Sequence, residues 1–509
     1  MLDRHRVSAP GISEMALYLP PHRIDLKQWC DWTGNDWSKV SGVVGRSFRM
    51  CAADQDAYTM AAQAVLELLI DRDIDPQSIG FLALGTESST DNSAGAVIVR
   101  GLIDQALLAL GRPRLSRHCE VPEFKHACLG GVYALKGATR YLKCDGRGRN
   151  AIVVCSDRAE YDRGSSGEQT QGAGAVAILL EPKARLLALD LDHAGSSSAY
   201  RGVDFRKPFA RHFTSGYATR TNRLHDFPVF NGKYSTHCYI EATLQAFDDL
   251  VSRSGRSPVE VLEHYRAFFF HRPYHWMPIQ TMARLYVWAM ARERSGWSDL
   301  AKMCERAEVD PKGLVEEASR DSDLFELGRE NGYDVDPSPL ASQVARVARR
   351  EAGCRSLIDD GMGLGADAMM EMGNLYTAAL PAWIAAGLED AWQRGEELEG
   401  EPVLLSGYGS GDAAEVVSAT VVEGWTDAAS RLGVAAQALL TGQDVDRYFY
   451  EALHDGFATE AGPTPGFRIA SVGKCNAGEF LDIGIDYYEF EPGQGIAAVG
   501  ASDYKGSGR

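Results

Sequence analysis

Three residues of this 509-residue chain have types and settings that could do chemistry together: Cys128, Glu87 and His271. Cys128 stands in HACLGG, ahead of the helix-like run YALKGATRYL. The unpaired amides of a helix start favour a thiolate, and Gly130 and Gly131 leave room beside the sulfur. Glu87 stands in LGTESSTD, just past a strand, and acids at strand ends in open α/β sheets face the crevice where ligands bind. His271, in FFFHRPYHWMP, is carried by an apolar run to an Arg-Pro break. Each also has a plainer reading, as a core thiol, a capping acid and a satisfied core histidine. As a set they offer a nucleophile that accepts an acyl group and a carboxylate that moves a proton.

The elements that must position them alternate between short apolar runs and helical ones, the pattern of an α/β protein. DAYTMAAQAVLELLI (56–70) spaces its apolar groups as an amphipathic helix, and FLALGTESS (81–89) reads as a buried strand leaving through Gly85. The helix-like AGAVIVRGLIDQALLALG follows, then the Cys128 segment, the strand AIVVCSD (151–157) and the Gly-opened strand GAGAVAILLE (172–181). Much the same order returns later. GNLYTAALPAWIAAGLEDAW (373–392) is a predicted helix, PVLLSGYGSGD (402–412) a strand opening into a Gly/Ser loop, and AEVVSATVVEGW follows. That order predicts a duplicated unit although the residues of the two copies differ. Residues 1–190 are the expected N-terminal half, with Glu87 and Cys128, and 191–509 the C-terminal half, with His271, Asn374 and Ser410. An Arg/Glu-rich stretch over about 282–365 reads as inserted helices in the second half, the plainest view being a solvated excursion.

Composition narrows the classes. The chain is 45% hydrophobic and 24% charged, ordinary for a globular protein, and too long for one simple core. A formal charge of −18 argues against nucleic-acid binding and against adsorption to anionic membranes. The opening MLDRHRVSAP has no apolar segment and no run approaches a membrane span, so neither a secretory signal nor a membrane anchor is expected. Ten cysteines without a CxxC pair or a regular framework suit a reducing cytoplasm, with no metal site and no disulfides expected.

Taken together, these stretches resemble the hydroxymethylglutaryl-CoA synthase family of the thiolase superfamily. The resemblance rests on motifs in order: GTESSTD, KHACLGG, SDRAEY with GEQTQGAGAVAILL, DFPVFNGKYSTHCYI, FFHRPY, GNLYTAAL and SGYGSG. It implies Cys128 as nucleophile, Glu87 as general acid/base and His271 as the histidine holding the second substrate's thioester oxygen. It places Asn374, Tyr376 and Ser410 near the acyl group, and Asp91, Asp157 and Asp204 as supporting aspartates. The implied fold is a five-layered α/β/α/β/α thiolase fold made of two duplicated halves with a helical insertion in the second, usually a homodimer.

The implied reaction follows from these residue types. Cys128 takes an acetyl group from a thioester, Glu87 removes its α-proton, and the carbanion adds to the ketone of a 3-oxoacyl thioester before hydrolysis. The donor is acetyl-CoA or an acetyl-loaded carrier protein, and no permanently bound cofactor is implied. Three departures stand out: Leu129 follows the cysteine where the family usually has an aromatic residue, Asn231 replaces a loop aspartate, and Trp276 falls where relatives of primary metabolism carry a lysine near the coenzyme A phosphates. A basic stretch with Arg201, Arg206, Lys207, Arg211, Arg220 and Arg223 could compensate by receiving a phosphate or an acyl carrier protein. Its plainer reading is a solvated loop. The family reaction in isoprenoid synthesis therefore stands beside three alternatives: carrier-dependent β-branching in polyketide-type metabolism, a ketoacyl-synthase-III-like acyltransferase, and a thiolase-fold scaffold. Glu87 argues against simple acyl transfer, which needs no α-carbon base. The presence of Cys128, Glu87 and His271 together argues against a scaffold.

Overall fold

Runs such as FLALG and AIVVC carry apolar side chains on both faces, which only a sheet covered on both sides can bury. In the computed structural model, which describes residues 9–207, 227–293, 297–320, 323–457 and 465–493, these runs are central strands. The first half contains β1 (Gly11–Tyr18), α1 (Ala57–Asp71), β2 (Ile79–Gly85), α2 (Gly95–Ala109), α3 (Gly130–Lys143), β3 (Asn150–Ala159) and β4 (Gly172–Glu181). The second begins at β5 (Leu187–Ser198), a strand that the expected boundary at 190/191 would cut, and contains α4 (Gly232–Ser254), β6 (Ala267–Phe270), α5 (Trp276–Arg292), α6 (Ala379–Arg394), β7 (Pro402–Gly409) and β8 (Ala413–Val421).

The topology shows the duplication that residue identity hides. In the first half the strand order is β2-β3-β4-β1, with β2 and β3 parallel and the other pairs antiparallel. In the second it is β6-β7-β8-β5, with β6 and β7 parallel and the other pairs antiparallel. The two half-sheets join edge to edge where Gly11 pairs with Ala188 and Ile12 with Leu187.

Side-chain alternation then sets the layers. On β3, Ile152 and Val154 face the core of α1 and α2, whereas Val153 and Cys155 face that of α3. On β6, Phe269 meets Trp383 of α6 edge-on, with ring centres 6.2 Å apart, and Phe270 stacks on Phe247 of α4 at 6.4 Å. Helices α3 and α6 thus lie between the half-sheets, while α1 with α2 and α4 cover the outer faces. This is the expected five-layered arrangement.

Helix α1 starts at a capping box, Asp56 accepting from the Tyr58 and Thr59 amides while Thr59 closes back on Asp56. The predicted helix from 373 starts later: residues Tyr376–Ala378 form a tight 3-10 turn and α6 begins at Ala379. Tyr376 has φ +44°, which no α-helix accommodates. The described residues of the stretch from 282 to 365 are mostly helical, including Trp297–Arg306, Pro311–Ala318, Leu324–Asn331, Pro339–Ala348 and Ala352–Asp359. These helices close a small core of their own around Leu300, Met303, Leu314 and Val344, resting on α5. Among the described residues no helix is long and apolar enough to cross a membrane, and all ten cysteines are free thiols.

Candidate active site

Cys128 sits in the turn that opens α3. The turn is closed by the Leu129 amide donating to the His126 carbonyl at 2.9 Å. Ala127, directly before the cysteine, has φ +42°, a left-handed conformation that a residue with a Cβ adopts at a cost of about 1–2 kcal/mol. Such strain persists where the surroundings over-determine it, and Tyr376 on the facing turn shows the same feature. The two glycines after Cys128 are explained by close approach. A Cβ on Gly131 would press into Cys155 Sγ and lie 3.1 Å from the Thr377 carbonyl, and one on Gly130 would lie 2.5 Å from the Phe124 carbonyl. Leu129 is fully buried where β7 comes close, at glycines 407 and 409. Its side chain therefore packs the helix onto the second half-sheet.

The cysteine keeps partial access to a cavity, packed with Phe205 against Tyr161 and Tyr376. That setting pushes its thiol well above the ordinary value, through burial first and then the charges of Glu87 and Asp157, with Lys207 opposing. The helix start alone does not therefore leave a standing thiolate, and the resting sulfur is protonated.

Glu87 is buried at the end of β2, with Lys207 Nζ donating to its Oε2 at 2.7 Å. Burial raises its carboxyl to about 6, Lys207 opposing the rise and Asp157 adding to it. Asp157, at the end of β3, is fully buried and holds this corner together. Its Oδ1 accepts from the Glu87 amide at 2.7 Å, the Ser88 amide at 2.8 Å and the Thr86 hydroxyl at 3.0 Å. Its Oδ2 accepts from the Thr377 amide at 2.9 Å and hydroxyl at 2.5 Å. Burial raises the Asp157 carboxyl, and these donors oppose the rise. One carboxylate thus ties the glutamate loop of the first half to the turn before α6 in the second.

The cavity, about 270 Å3, is lined by Cys128, His271, Asn374, Tyr376 and Ser410 among others, so both halves contribute. His271 follows the last residue of β6. Its amide donates to the Ser406 carbonyl at 2.6 Å and its own carbonyl accepts from Tyr239 OH at 2.6 Å, which fixes its backbone. Burial lowers its imidazole to about 3, so the ring is neutral, and Nδ1 is buried without a hydrogen-bond partner among the described residues. Asn374 Oδ1 accepts from the Tyr376 amide at 3.0 Å, stabilising the left-handed turn. Asp204 lies beneath the Ser410 loop, its Oδ2 accepting from Tyr408 OH at 2.8 Å and the Gly411 amide at 3.0 Å. Burial raises Asp204, and raises the neighbouring Asp412 to about 7 despite Arg201 at 3.3 Å.

The structure therefore gathers eight of the nine expected site residues: Cys128, His271, Asn374, Tyr376 and Ser410 on the wall, Glu87 beside the thiol, and Asp157 and Asp204 behind the loops that carry them. Asp91 stands apart. Its carboxylate accepts from the Ser93 and Ala94 amides, both at 2.7 Å, at the entry to α2. It is a helix-entry acid, as its place before a Ser-Ala-Gly step also allows.

The basic stretch divides. Lys207 turns inward to Glu87 and lies over the Tyr376 ring at 5.5 Å, and Arg201 is buried against Asp412. Arg206 is exposed, and Arg211, Arg220 and Arg223 lie outside the described residues. Lys207 and the aromatic wall of Tyr161, Phe205 and Tyr239 were not singled out as site residues from sequence. The spacing Asp204-Phe205-Arg206-Lys207 was their one signal: alternation places Phe205 and Lys207 on one face.

A duplicated sheet with a cysteine at the start of a central helix and a buried glutamate beside it is an arrangement of the thiolase-like fold. Residues 6–185 match the family model described as hydroxymethylglutaryl-coenzyme A synthase N terminal. A hydroxymethylglutaryl-CoA synthase of Haloferax volcanii is 28% identical over 403 residues, covering 79% of this chain and 80% of the relative. That of Saccharomyces cerevisiae is 26% identical over 424 residues, covering 81% and 75%. Among solved structures, MvaS in complex with 3-hydroxy-3-methylglutaryl coenzyme A superposes with a TM-score of 0.71 at 24% identity, covering 95% of this chain and 99% of that one. The curacin-pathway HMG synthase in complex with an acetyl donor carrier protein gives 0.65 at 17%, covering 94% and 99%. The chain thus matches the hydroxymethylglutaryl-CoA synthase family model over its N-terminal region and is similar to hydroxymethylglutaryl-CoA synthases over about four fifths of its length.

Proposed function

We propose that this protein is a hydroxymethylglutaryl-CoA synthase-type condensing enzyme whose reaction runs through Cys128 and Glu87. The observation that carries this reading is the buried glutamate of raised pKa, held by Asp157 and Lys207 against a protonated cysteine on a cavity built by both halves. The Cys128 thiol attacks the acetyl thioester, and its proton ends on the departing thiol, with the Glu87 carboxylate as the group placed to carry it. Glu87 then removes a proton from the acetyl methyl group. The carbanion adds to the ketone of a 3-oxoacyl thioester whose thioester oxygen is held by neutral His271, the resulting alkoxide takes the proton back from Glu87, and water cleaves the Cys128 thioester to release the product acid and restore the thiol. Asn374, Tyr376 and Ser410 border the acyl group, and acetyl-CoA enters as substrate, not as a resident cofactor. A homodimer in a reducing cytoplasm accords with the family pattern and with ten free thiols.

A second reading keeps the chemistry and changes the handle, with the donor borne by an acyl carrier protein. Likeness in shape to the curacin-pathway synthase and the presence of Trp276 support it. Intact-protein mass measurement after exposure to acetyl-CoA or to acetyl-loaded carrier tests both. An acetyl adduct is expected on the native chain and not on Cys128→Ala, whereas Glu87→Ala should be acylated yet fail to condense. An active Cys128→Ala enzyme without an adduct would sink the mechanism.

A further inference from the structure

The loop that carries Ser410 joins β7 to β8 at the cavity wall, and it is held from behind by residues 199–204, which follow β5. The Asp412 amide donates to the Ala199 carbonyl at 3.0 Å, the Ala199 amide donates back to the Asp412 carbonyl at 3.2 Å, and the Arg201 amide donates to the Gly411 carbonyl at 2.9 Å. Within this frame Arg201 and Asp412 turn their side chains inward, 5% and 4% exposed. Arg201 Nε donates to Asp412 Oδ2 at 3.3 Å, while Asp412 Oδ1 is buried without a hydrogen-bond partner among the described residues. Asp204, Tyr408 of β7 and Cys238 of α4 lie against the pair, and the Ser410 hydroxyl faces the Asp204 carboxylate and favours its charged form. Two apolar side chains of similar volume would hold the fold about as well as this buried ion pair does. Its place directly behind the Ser410 loop gives it a positional role.

The same guanidinium reaches outward. Its Nη1 lies 3.7 Å from Oδ1 of Asp323, the residue that opens the inserted helix Leu324–Asn331. Asp323 caps that helix by accepting from the Phe325 amide at 2.8 Å and the Glu326 amide at 3.1 Å. A row of rings seats the helix on the same stretch. Tyr200 meets Phe325 edge-on with ring centres 5.0 Å apart, Phe325 lies 6.2 Å from Tyr333, and Tyr333 meets Tyr234 of α4 edge-on at 5.0 Å. The stretch then runs on through Asp204 to Phe205 and Lys207, which enter the site. One arginine thus stands between the inserted helices and the Ser410 loop, touching an acid on each side.

Resting on the condensing-enzyme reading, we propose that Arg201 is a positioning residue for the acylation of Cys128: it fixes the Ser410 loop through Asp412, and the inserted helices steady it through Asp323. A charged hydrogen bond has a direction that an apolar contact lacks, so the loop it ties keeps one placement of Ser410 beside the acyl group. A misplacement of about 1 Å around a reacting carbon costs up to about a hundredfold in rate, even when its cause lies away from the chemistry. The inserted helices thereby act on the rate of acylation without touching the substrate.

The test follows acetylation of Cys128 in the full chain by intact-protein mass, with S-acetyl-4′-phosphopantetheine as donor, the arm that coenzyme A and a carrier protein share. The parent is compared with Arg201→Met combined with Asp412→Leu, with Arg201→Lys and with Asp323→Ala, over a range of donor concentrations and beside their denaturant midpoints. The paired apolar variant should unfold close to the parent's midpoint, because no buried charge is stranded. Its maximal acetylation rate should nevertheless fall by about tenfold or more, with the half-saturating donor concentration within about twofold of the parent's. Arg201→Lys, which keeps the charge on Asp412, should recover most of the rate, and Asp323→Ala, which removes only an exposed partner, should slow it by about two- to threefold. A paired variant that folds and acetylates as the parent does, or in which only half-saturation moves, overturns the proposal. An Arg201→Lys enzyme as slow as the paired variant also overturns it, and Asp323→Ala at the parent rate takes the inserted helices out of it. Should the paired variant lose its fold, the two single changes decide by the same criteria. Failure of the condensing-enzyme reading looks different, since the parent itself would then take no Cys128-dependent adduct.

Discussion

At the residue scale the decisive pairing is Lys207 with Glu87. A carboxylate that takes a proton and returns it near neutral pH needs a value close to the working pH, and burial alone would carry Glu87 higher. Lys207 at 2.7 Å favours the ionised form and holds the group at about 6. Glu87 is the base only when ionised, so the condensation rate should rise with pH through about 6 and level off above it. Removing the ammonium as Lys207→Met raises the Glu87 value. The acid limb of the pH-rate profile should then move to higher pH by about one unit or more, with little change on the alkaline side of the limb. A limb that stays in place, or moves to lower pH, would show that the ion pair does not set the base. This pairing was hidden in the sequence because six cations in 23 residues read as a solvated loop. Only the period of two from Phe205 to Lys207 hinted that one of them points inward.

At the element scale the site depends on how closely α3 can approach its neighbours. Gly85 at the end of β2 faces Gly131, a Cβ there lying 2.7 Å from the Gly131 Cα, and Gly131 in turn faces Cys155 and Thr377. This contact brings the start of α3 against the ends of β2 and β3, and so Cys128 beside Glu87 and Asp157. Gly131→Ala should destabilise the protein by about 1–3 kcal/mol in denaturant titration, as overpacking does. It should also slow acylation, because relief requires α3 to move. Gly101, exposed within α2, has nothing near its Cβ position, and Gly101→Ala should stabilise by about 0.5–1 kcal/mol through helix propensity. Equal effects at the two positions would mean that close packing at Gly131 is not what holds the turn. Elements with such punctuation were largely legible. The strand GAGAVAILLE occupies Gly172–Glu181 as read, and AIVVCSD lies within Asn150–Ala159. Helix α6 starts six residues past the predicted Gly-Asn step because the Tyr376 turn is held by Asn374 and by Thr377 on Asp157, contacts that local periodicity does not encode.

At the scale of the molecule, the two halves are nearly separate in sequence and inseparable in structure. Helix α3 belongs to the first half by chain order, yet Leu129 and Val132 pack on Gly407 of β7. Lys136, one turn on, reaches Glu415 of β8 across 279 positions of chain. Both side chains are buried, at 9% and 5% exposure, and Ser196 of β5 donates to the same carboxylate oxygen at 2.9 Å. A lysine in an amphipathic helix would ordinarily be read as solvent-facing, so this cross-half bridge could not be inferred before the fold was known. Its energetics follow from desolvation. Lys136→Met alone strands a buried carboxylate and should cost about 3–5 kcal/mol, lowering the denaturant midpoint of the whole chain. Adding Glu415→Leu removes the stranded charge, and the double variant should recover to within about 1 kcal/mol of the parent, since apolar replacement of a buried pair is often neutral. A cooperative loss for the single change and recovery for the double one places the bridge inside the shared core of both repeats. Two separate transitions in the single variant would instead mean that the halves unfold independently, with the cavity failing at the seam between them.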